Sequence, residues 1–152
     1  MLHDVIIIGA GPSGSTCAYR IKKILPSASV VLVDKAQFPR YKPCGGGISP
    51  EVKNYMDFEF DEVVSFQAHD VLLTAQQKST RSSCDIIMVR RELFDDVLVK
   101  KARDVGVSVF MNTDVIDLMQ TPSHVEIKTH HETYQAKIVI LAEGGAGKLA
   151  RQ

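Results

Sequence analysis

The apolar residues of this chain gather in short blocks of two kinds. Val5-Ile6-Ile7-Ile8 and Val30-Val31-Leu32-Val33 are continuous and rich in β-branched residues, the pattern of strands buried on both faces. Between them Cys17, Ala18, Ile21, Ile24 and Leu25 recur at the spacing of one helix face, and Pro26 stops that helix. The chain therefore opens as strand, helix, strand.

The next stretch has turn chemistry. Residues 35–50 hold three prolines and three consecutive glycines, long for a loop inside a compact domain and therefore of functional interest. A short helix is expected near residues 51–56. Residues 71–74 and 86–89 read as strands joined by the polar stretch 76–83. Residues 92–104 predict an amphipathic helix with Leu93, Val97, Leu98 and Ala102 on one face, and Gly106 is placed to end it. Residues 107–110 read as a strand. Three more strands follow at 114–119, 125–129 and 134–141, and their short polar connections predict an antiparallel meander. The last ends in Ile138-Val139-Ile140-Leu141, continuous and apolar like the first strand, so it is expected to return into the parallel sheet.

Composition narrows the class. Eighteen basic and eighteen acidic residues leave no net charge, and no Lys/Arg block stands out, which argues against a nucleic-acid partner. Cys17, Cys44 and Cys84 form no CxxC pair, as expected in a reducing compartment. The first residues lack a basic n-region, and no segment has the length of a membrane span. The expectation is a cytoplasmic chain, with peripheral membrane association left open. The histidines share no metal spacing and read as surface residues, so no metal site is expected. No Ser/His/Asp arrangement can be argued.

The strongest chemical signal is Gly9-x-Gly11-x-x-Gly14 between the first strand and the first helix. A strand feeding a glycine turn that opens a helix is the geometry that holds a pyrophosphate on unpaired helix N–H groups. In this reading Gly9 takes the tight turn, Gly11 leaves room for the phosphate, and Gly14 lets the helix pack close. Ser13 reads as a phosphate-loop neighbour. Asp34 ends the second strand twenty residues after Gly14, where a ribose-binding carboxylate is expected; the alternative is an ordinary strand-end acid.

Beyond that motif, the chain resembles the FAD-binding domain of glutathione-reductase-type flavoproteins, which include aromatic hydroxylases, halogenases and geranylgeranyl reductases. Gly9-Ala10-Gly11-Pro12-Ser13-Gly14 is similar to their phosphate loop, and Val33-Asp34-Lys35 to the ribose end of their second strand. Arg91-Glu92-Leu93-Phe94-Asp95, continuing to Leu98, resembles an R-x-x-F-D-x-x-L pattern whose arginine approaches the flavin. Ala142-Glu143-Gly144 stands where the second FAD motif lies. Pro39-Arg40-Tyr41-Lys42-Pro43-Cys44-Gly45-Gly46-Gly47 looks like the P-R-x-K-x-C-G-G-G segment of geranylgeranyl-reductase-like proteins.

The resemblance implies an α/β fold: a Rossmann-like FAD-binding domain with a parallel sheet, a crossover β-meander and a partial β excursion. It implies FAD as cofactor, held by Gly9, Gly11, Pro12, Ser13, Gly14, Asp34 and Lys35. Lys42, Cys44, Gly45, Gly46 and Arg91 would lie toward the flavin. Val115 and Ala142, Glu143 and Gly144 complete the cofactor set. Glycine backbone at 45–47 can lie flat against a planar ring, and Lys42 is placed to offset charge on a reduced flavin. Cys44, beside that lysine and glycine N–H groups, is the candidate catalytic residue.

In geranylgeranyl reductases a reduced flavin delivers hydride to a prenyl double bond, so the resemblance implies an isoprenoid substrate; the electron donor stays open. Two differences stand out. Glu143 replaces the usual Asp, and Gly147-Lys148 replace the usual Ser-Arg. The expectation is a truncated FAD-binding domain over residues 1–152, with the substrate domain outside it, so catalysis by this stretch alone stays open. The alternatives are an FAD-dependent monooxygenase of the hydroxylase type and a non-catalytic nucleotide-binding module. An ordinary NAD dehydrogenase fits the opening motif but not the meander.

Overall fold

The computed structural model describes residues 1–145 and 147–151. In chain order the elements begin with β1 (Leu2–Ile8), α1 (Pro12–Ile24), β2 (Val30–Val33), β3 (Gly47–Ile48), β4 (Val64–Ala75) and β5 (Lys78–Val89). They continue with α2 (Arg91–Asp104), β6 (Ser108–Phe110), β7 (Val115–Gln120), β8 (Val125–Thr129) and β9 (Thr133–Leu141). The chain divides into two compact units, Met1–Arg40 with Asp95–Gln152, and Tyr41–Phe94.

The first unit is built on a sheet of order β6-β2-β1-β9-β8-β7. β1 pairs in parallel with β2 on one side and β9 on the other, and β6 extends β2 in parallel. β7, β8 and β9 form the expected antiparallel meander. The continuous apolar runs follow from burial on both faces, because alternate residues of a strand point to opposite sides. Ile6, Ile8, Val31 and Val33 join Val115, Ile127, Ala136 and Leu149 in one core cluster. Val5, Ile7, Val30 and Leu32 are buried as well, and α1 lies along β1 and β2. The α/β class and the return of the last strand beside β1 are as expected.

Other expectations are corrected. The buried stripe of α1 is Gly14, Ser15, Ala18 and Tyr19, whereas Ile24 and Leu25 are 70% and 56% exposed. Small residues, rather than the branched ones, give the close approach to the sheet. In α2 Leu93 is exposed, and the buried run is Phe94 to Val99. β9 is less covered than its apolar run suggests: Ile138 is 56% exposed. His3 and His124 are half-buried rather than at the surface, and His3 Nδ1 lies 2.8 Å from Ser29 Oγ.

The second unit is a sheet of order β3-β5-β4. The polar stretch 76–83 is not a connection. It forms the tip and half of β5 in one long hairpin, with Ala75 facing Lys78 and Thr74 facing Ser79. Exposure on both faces of that half removes the alternation by which a strand is recognised. The expected helix near 51–56 is a 3-10 helix over Pro50–Tyr55. Phe60, Val63, Ile87, Val89 and Phe94 are buried. The rings of Phe60 and Phe94 meet edge to face with centroids 5.3 Å apart.

Candidate cofactor site

The C-terminal ends of β1, β2 and β9 are tied together around the glycine turn. The Gly9 N–H donates to the Val33 carbonyl at 2.8 Å, and the Ala142 N–H to the Ile8 carbonyl at 2.7 Å. Ligands of open α/β sheets bind beyond such strand ends. α1 starts there, at Pro12 after the Gly11 N-cap, with no side-chain cap and no acid in its first turn. Its N-terminal partial positive charge is therefore not neutralised by its own side chains.

The three motif glycines are needed for different reasons. Gly9 has φ +105°, and a Cβ there would lie 2.4 Å from the Ala142 carbonyl oxygen. A Cβ on Gly14 would lie 1.8 Å from the Gly9 carbonyl oxygen. Internal packing demands both. Gly11 differs: its φ is −67°, and its nearest neighbour would be Arg40 Nη2 at an ordinary 3.7 Å. Nothing in the fold requires glycine at 11, so the space beside its Cα, bordered by Arg40, is not reserved by packing.

Arg40 borders that space. Its guanidinium stacks 4.5 Å over the Phe38 ring, and Nη2 lies 3.2 Å from Asp95 Oδ2. Nη1 is buried with no hydrogen-bond partner among the described residues. A helix N-terminus, a side-chain-free glycine and a guanidinium whose Nη2 borders that glycine suit an anion such as a diphosphate. The residues present thus fit the pyrophosphate of a dinucleotide.

Asp34 is bound to the protein itself. Oδ2 accepts the Ala10 N–H at 2.7 Å and Oδ1 accepts the Ala36 N–H at 2.8 Å. Each oxygen keeps further acceptor capacity, so the carboxylate braces the loop and can also meet a hydroxyl. Ser13 and Lys35 are exposed at the same end of the sheet, and Pro12 begins the helix. The Val115 side chain belongs to the core. Glu143 turns back on its own chain: Oε2 accepts the Leu149 N–H at 3.1 Å and Oε1 the Lys148 N–H at 3.4 Å. It caps the 3-10 turn Leu149–Arg151. Ala142 is half-buried, and Gly144 has φ +75° with open space where a side chain would be.

In the second unit, Lys42, Cys44 and Gly45 are exposed. The Gly46 N–H donates to Cys44 Sγ at 3.5 Å. Gly46 has φ +75°, and a Cβ there would lie 1.9 Å from the Val89 carbonyl oxygen. Packing against β5 thus accounts for Gly46, while Gly45 has open space around it. Arg91 is half-buried at the start of α2, and its neighbour Arg90 pairs with Glu92. Among the described residues no His/Cys/Asp/Glu group could hold a metal, and no helix is long and apolar enough to cross a membrane.

Arg40 and Asp95 were quoted in motifs but given no role by sequence reasoning. Asp95 is fully buried in the Phe94 to Val99 stretch beside Asp96, and nothing in the sequence separates the two aspartates.

Residues 3–151 match the family model for pyridine nucleotide-disulphide oxidoreductases. An uncharacterised protein of Methanosarcina barkeri is 33% identical over 98% of this chain and 39% of its own length. Digeranylgeranylglycerophospholipid reductase 2 of Methanosphaera stadtmanae is 25% identical over 97% of this chain and 41% of its own. The chain thus spans about two fifths of the length of these relatives. Among solved structures, a geranylgeranyl bacteriochlorophyll reductase-like protein of Thermoplasma acidophilum superposes with a TM-score of 0.83 at 18% identity, over 99% of this chain and 41% of its own. Halogenase PltM in complex with phloroglucinol and FAD superposes with a TM-score of 0.81 at 17% identity, over 99% and 36%.

Proposed function

Since the chain belongs to the pyridine nucleotide-disulphide oxidoreductase family, a family of FAD-dependent oxidoreductases, we propose that it is the FAD-holding part of a reductase of prenyl double bonds. The observation that carries the cofactor reading is Gly11, a glycine the fold does not need, with the Arg40 guanidinium beside it. The α1 N-terminus, Gly11 and Arg40 hold the diphosphate. Asp34, while bracing the loop, offers its remaining lone pairs to the adenosine ribose. By the family resemblance alone, Ala142 to Gly144, at the end of β9, are assigned to the ribityl chain. FAD, when bound, supplies hydride transfer; the protein binds, orients and tunes it.

The substrate class rests on the Pro39–Gly47 segment and on the relative named as a digeranylgeranylglycerophospholipid reductase. The first test is the visible absorption spectrum of the purified chain, with FAD titrated into it. A folded chain that binds no FAD overturns the cofactor reading. Loss of a geranylgeranyl double bond, followed by mass spectrometry in the presence of a reductant, tests the substrate.

A second reading, an FAD-dependent halogenase or hydroxylase, is favoured by the halogenase neighbour, whose TM-score nearly equals that of the reductase-like one. Oxygen consumption coupled to modification of an aromatic substrate, with prenyl lipids untouched, would select it.

A further inference from the structure

The carboxylate of Asp95 is fully buried in α2, next to a second buried carboxylate, Asp96, and it makes an ion pair with Arg40, whose side chain is 18% exposed. A buried charge is costly, and an apolar residue of similar size often serves stability better. One consequence of the pair is what it does to Arg40. That side chain has many rotamers and stands in a turn-rich segment, where it would otherwise sample solvent. Phe38 supports one face of its guanidinium, and Asp95 engages Nη2. The same Nη2 lies 3.7 Å from where a Gly11 side chain would begin, so the pair holds the guanidinium at the edge of that space.

We propose that Asp95 is a positioning residue for the cofactor: it fixes the Arg40 guanidinium beside Gly11, so that binding a diphosphate orders no further side chain. This rests on the diphosphate reading of the α1 N-terminus. Asp95 itself touches no ligand. It acts by removing the entropy that a free arginine would lose on binding.

The test is a double-mutant cycle on the full chain with Asp95→Asn, Arg40→Met and the double variant. FAD, ADP and adenosine are the probes, and circular dichroism checks the fold. Asp95→Asn is expected to weaken FAD and ADP by about tenfold, within the coupling measured for contacting residues. Adenosine, which lacks phosphate, is unaffected. In the Arg40→Met background the second substitution adds nothing. A merely structural role would instead weaken all three probes alike, in both backgrounds, and that result overturns the proposal. If Arg40→Met weakens FAD but Asp95→Asn does not, positioning fails and the diphosphate reading stands. If Arg40→Met leaves FAD and ADP unchanged, the diphosphate reading fails and this proposal with it. Should Asp95→Asn not fold, Arg40→Lys carries the test. It keeps the charge but loses the fork shared between Asp95 and the diphosphate, so FAD and ADP weaken selectively; unchanged binding overturns the proposal.

Discussion

Asp34 and Ala10 are joined across the glycine turn: Asp34 Oδ2 accepts the Ala10 N–H at 2.7 Å, while Oδ1 accepts the Ala36 N–H at 2.8 Å. The backbone of Asp34 is anchored too, its N–H donating to the Phe110 carbonyl and its carbonyl accepting from Thr113. One residue thus links the ends of β1, β2 and β6. A strand-end acid in this family position therefore has a structural task before any ligand arrives.

Asp34→Ala is expected to lower stability by about 1–3 kcal/mol, the cost of leaving half-buried N–H groups unpaired. Asp34→Asn should cost less, because one amide oxygen still accepts. Denaturant unfolding without cofactor measures this. An unchanged midpoint for Asp34→Ala would mean that the two bonds contribute nothing and that the acid serves the ligand alone.

Gly11 and Gly14 should separate folding from binding. Gly14→Ala places a carbon 1.8 Å from the Gly9 carbonyl oxygen and 3.2 Å from Ala142 Cβ, so the helix must shift; a loss of about 3 kcal/mol or more is expected. Gly11→Ala meets only ordinary contact with Arg40, so stability should change by about 0.5 kcal/mol or less. Its FAD affinity should nevertheless fall at least about tenfold, since the methyl group occupies the space assigned to phosphate. Thermal melting and FAD fluorescence titration read the two effects. Full FAD affinity in Gly11→Ala would remove the cradle.

Much of this was legible in the order of residues. The buried strands could be read because burial on both faces removes polar positions, as in Val30 to Val33. The meander showed through its alternation and short turns. The long hairpin was missed because residues 78–84 are exposed on both sides, so β5 carries no periodicity there. The stripe of α1 was misassigned because close packing against a sheet selects Gly14, Ser15 and Ala18, which hydrophobicity does not mark. At the site, the glycine spacing was visible, but the use of each glycine was not: only the surroundings show that Gly9 and Gly14 serve the fold and Gly11 does not. The pairing of Arg40 with Asp95 joins residues far apart in the chain, and no local pattern announces it.

Glu143 tests whether the longer acid serves the chain or the cofactor. Its reach allows contact with the Leu149 N–H at 3.1 Å. Glu143→Asp withdraws the carboxylate by one methylene and should free that donor, lowering stability by about 0.5–2 kcal/mol, as for other lost helix caps. FAD affinity should hold or rise. Melting curves with and without FAD distinguish the cases: reduced affinity at unchanged stability would mean that Glu143 meets the ligand and caps nothing of consequence.

The alkaline limit of stability should carry the mark of Tyr134. Burial pushes its phenol up to about 12, helped by donation to Glu132 Oε1 at 2.5 Å and by the charge of that carboxylate. The ring also lies against Phe110, with centroids 5.9 Å apart. A folded pKa above the ordinary value of about 10 means that the native state holds the proton more tightly. The resulting stability is fully present below about pH 10 and is lost as pH rises through about 12. Tyr134→Phe should therefore be less stable than the parent at neutral pH, and the gap should close across that window. In a phenolate absorbance titration the parent should show a last step near pH 12 that Tyr134→Phe lacks. If the step missing from Tyr134→Phe lies near the ordinary value of about 10 instead, Tyr134 is neither buried nor bonded as described.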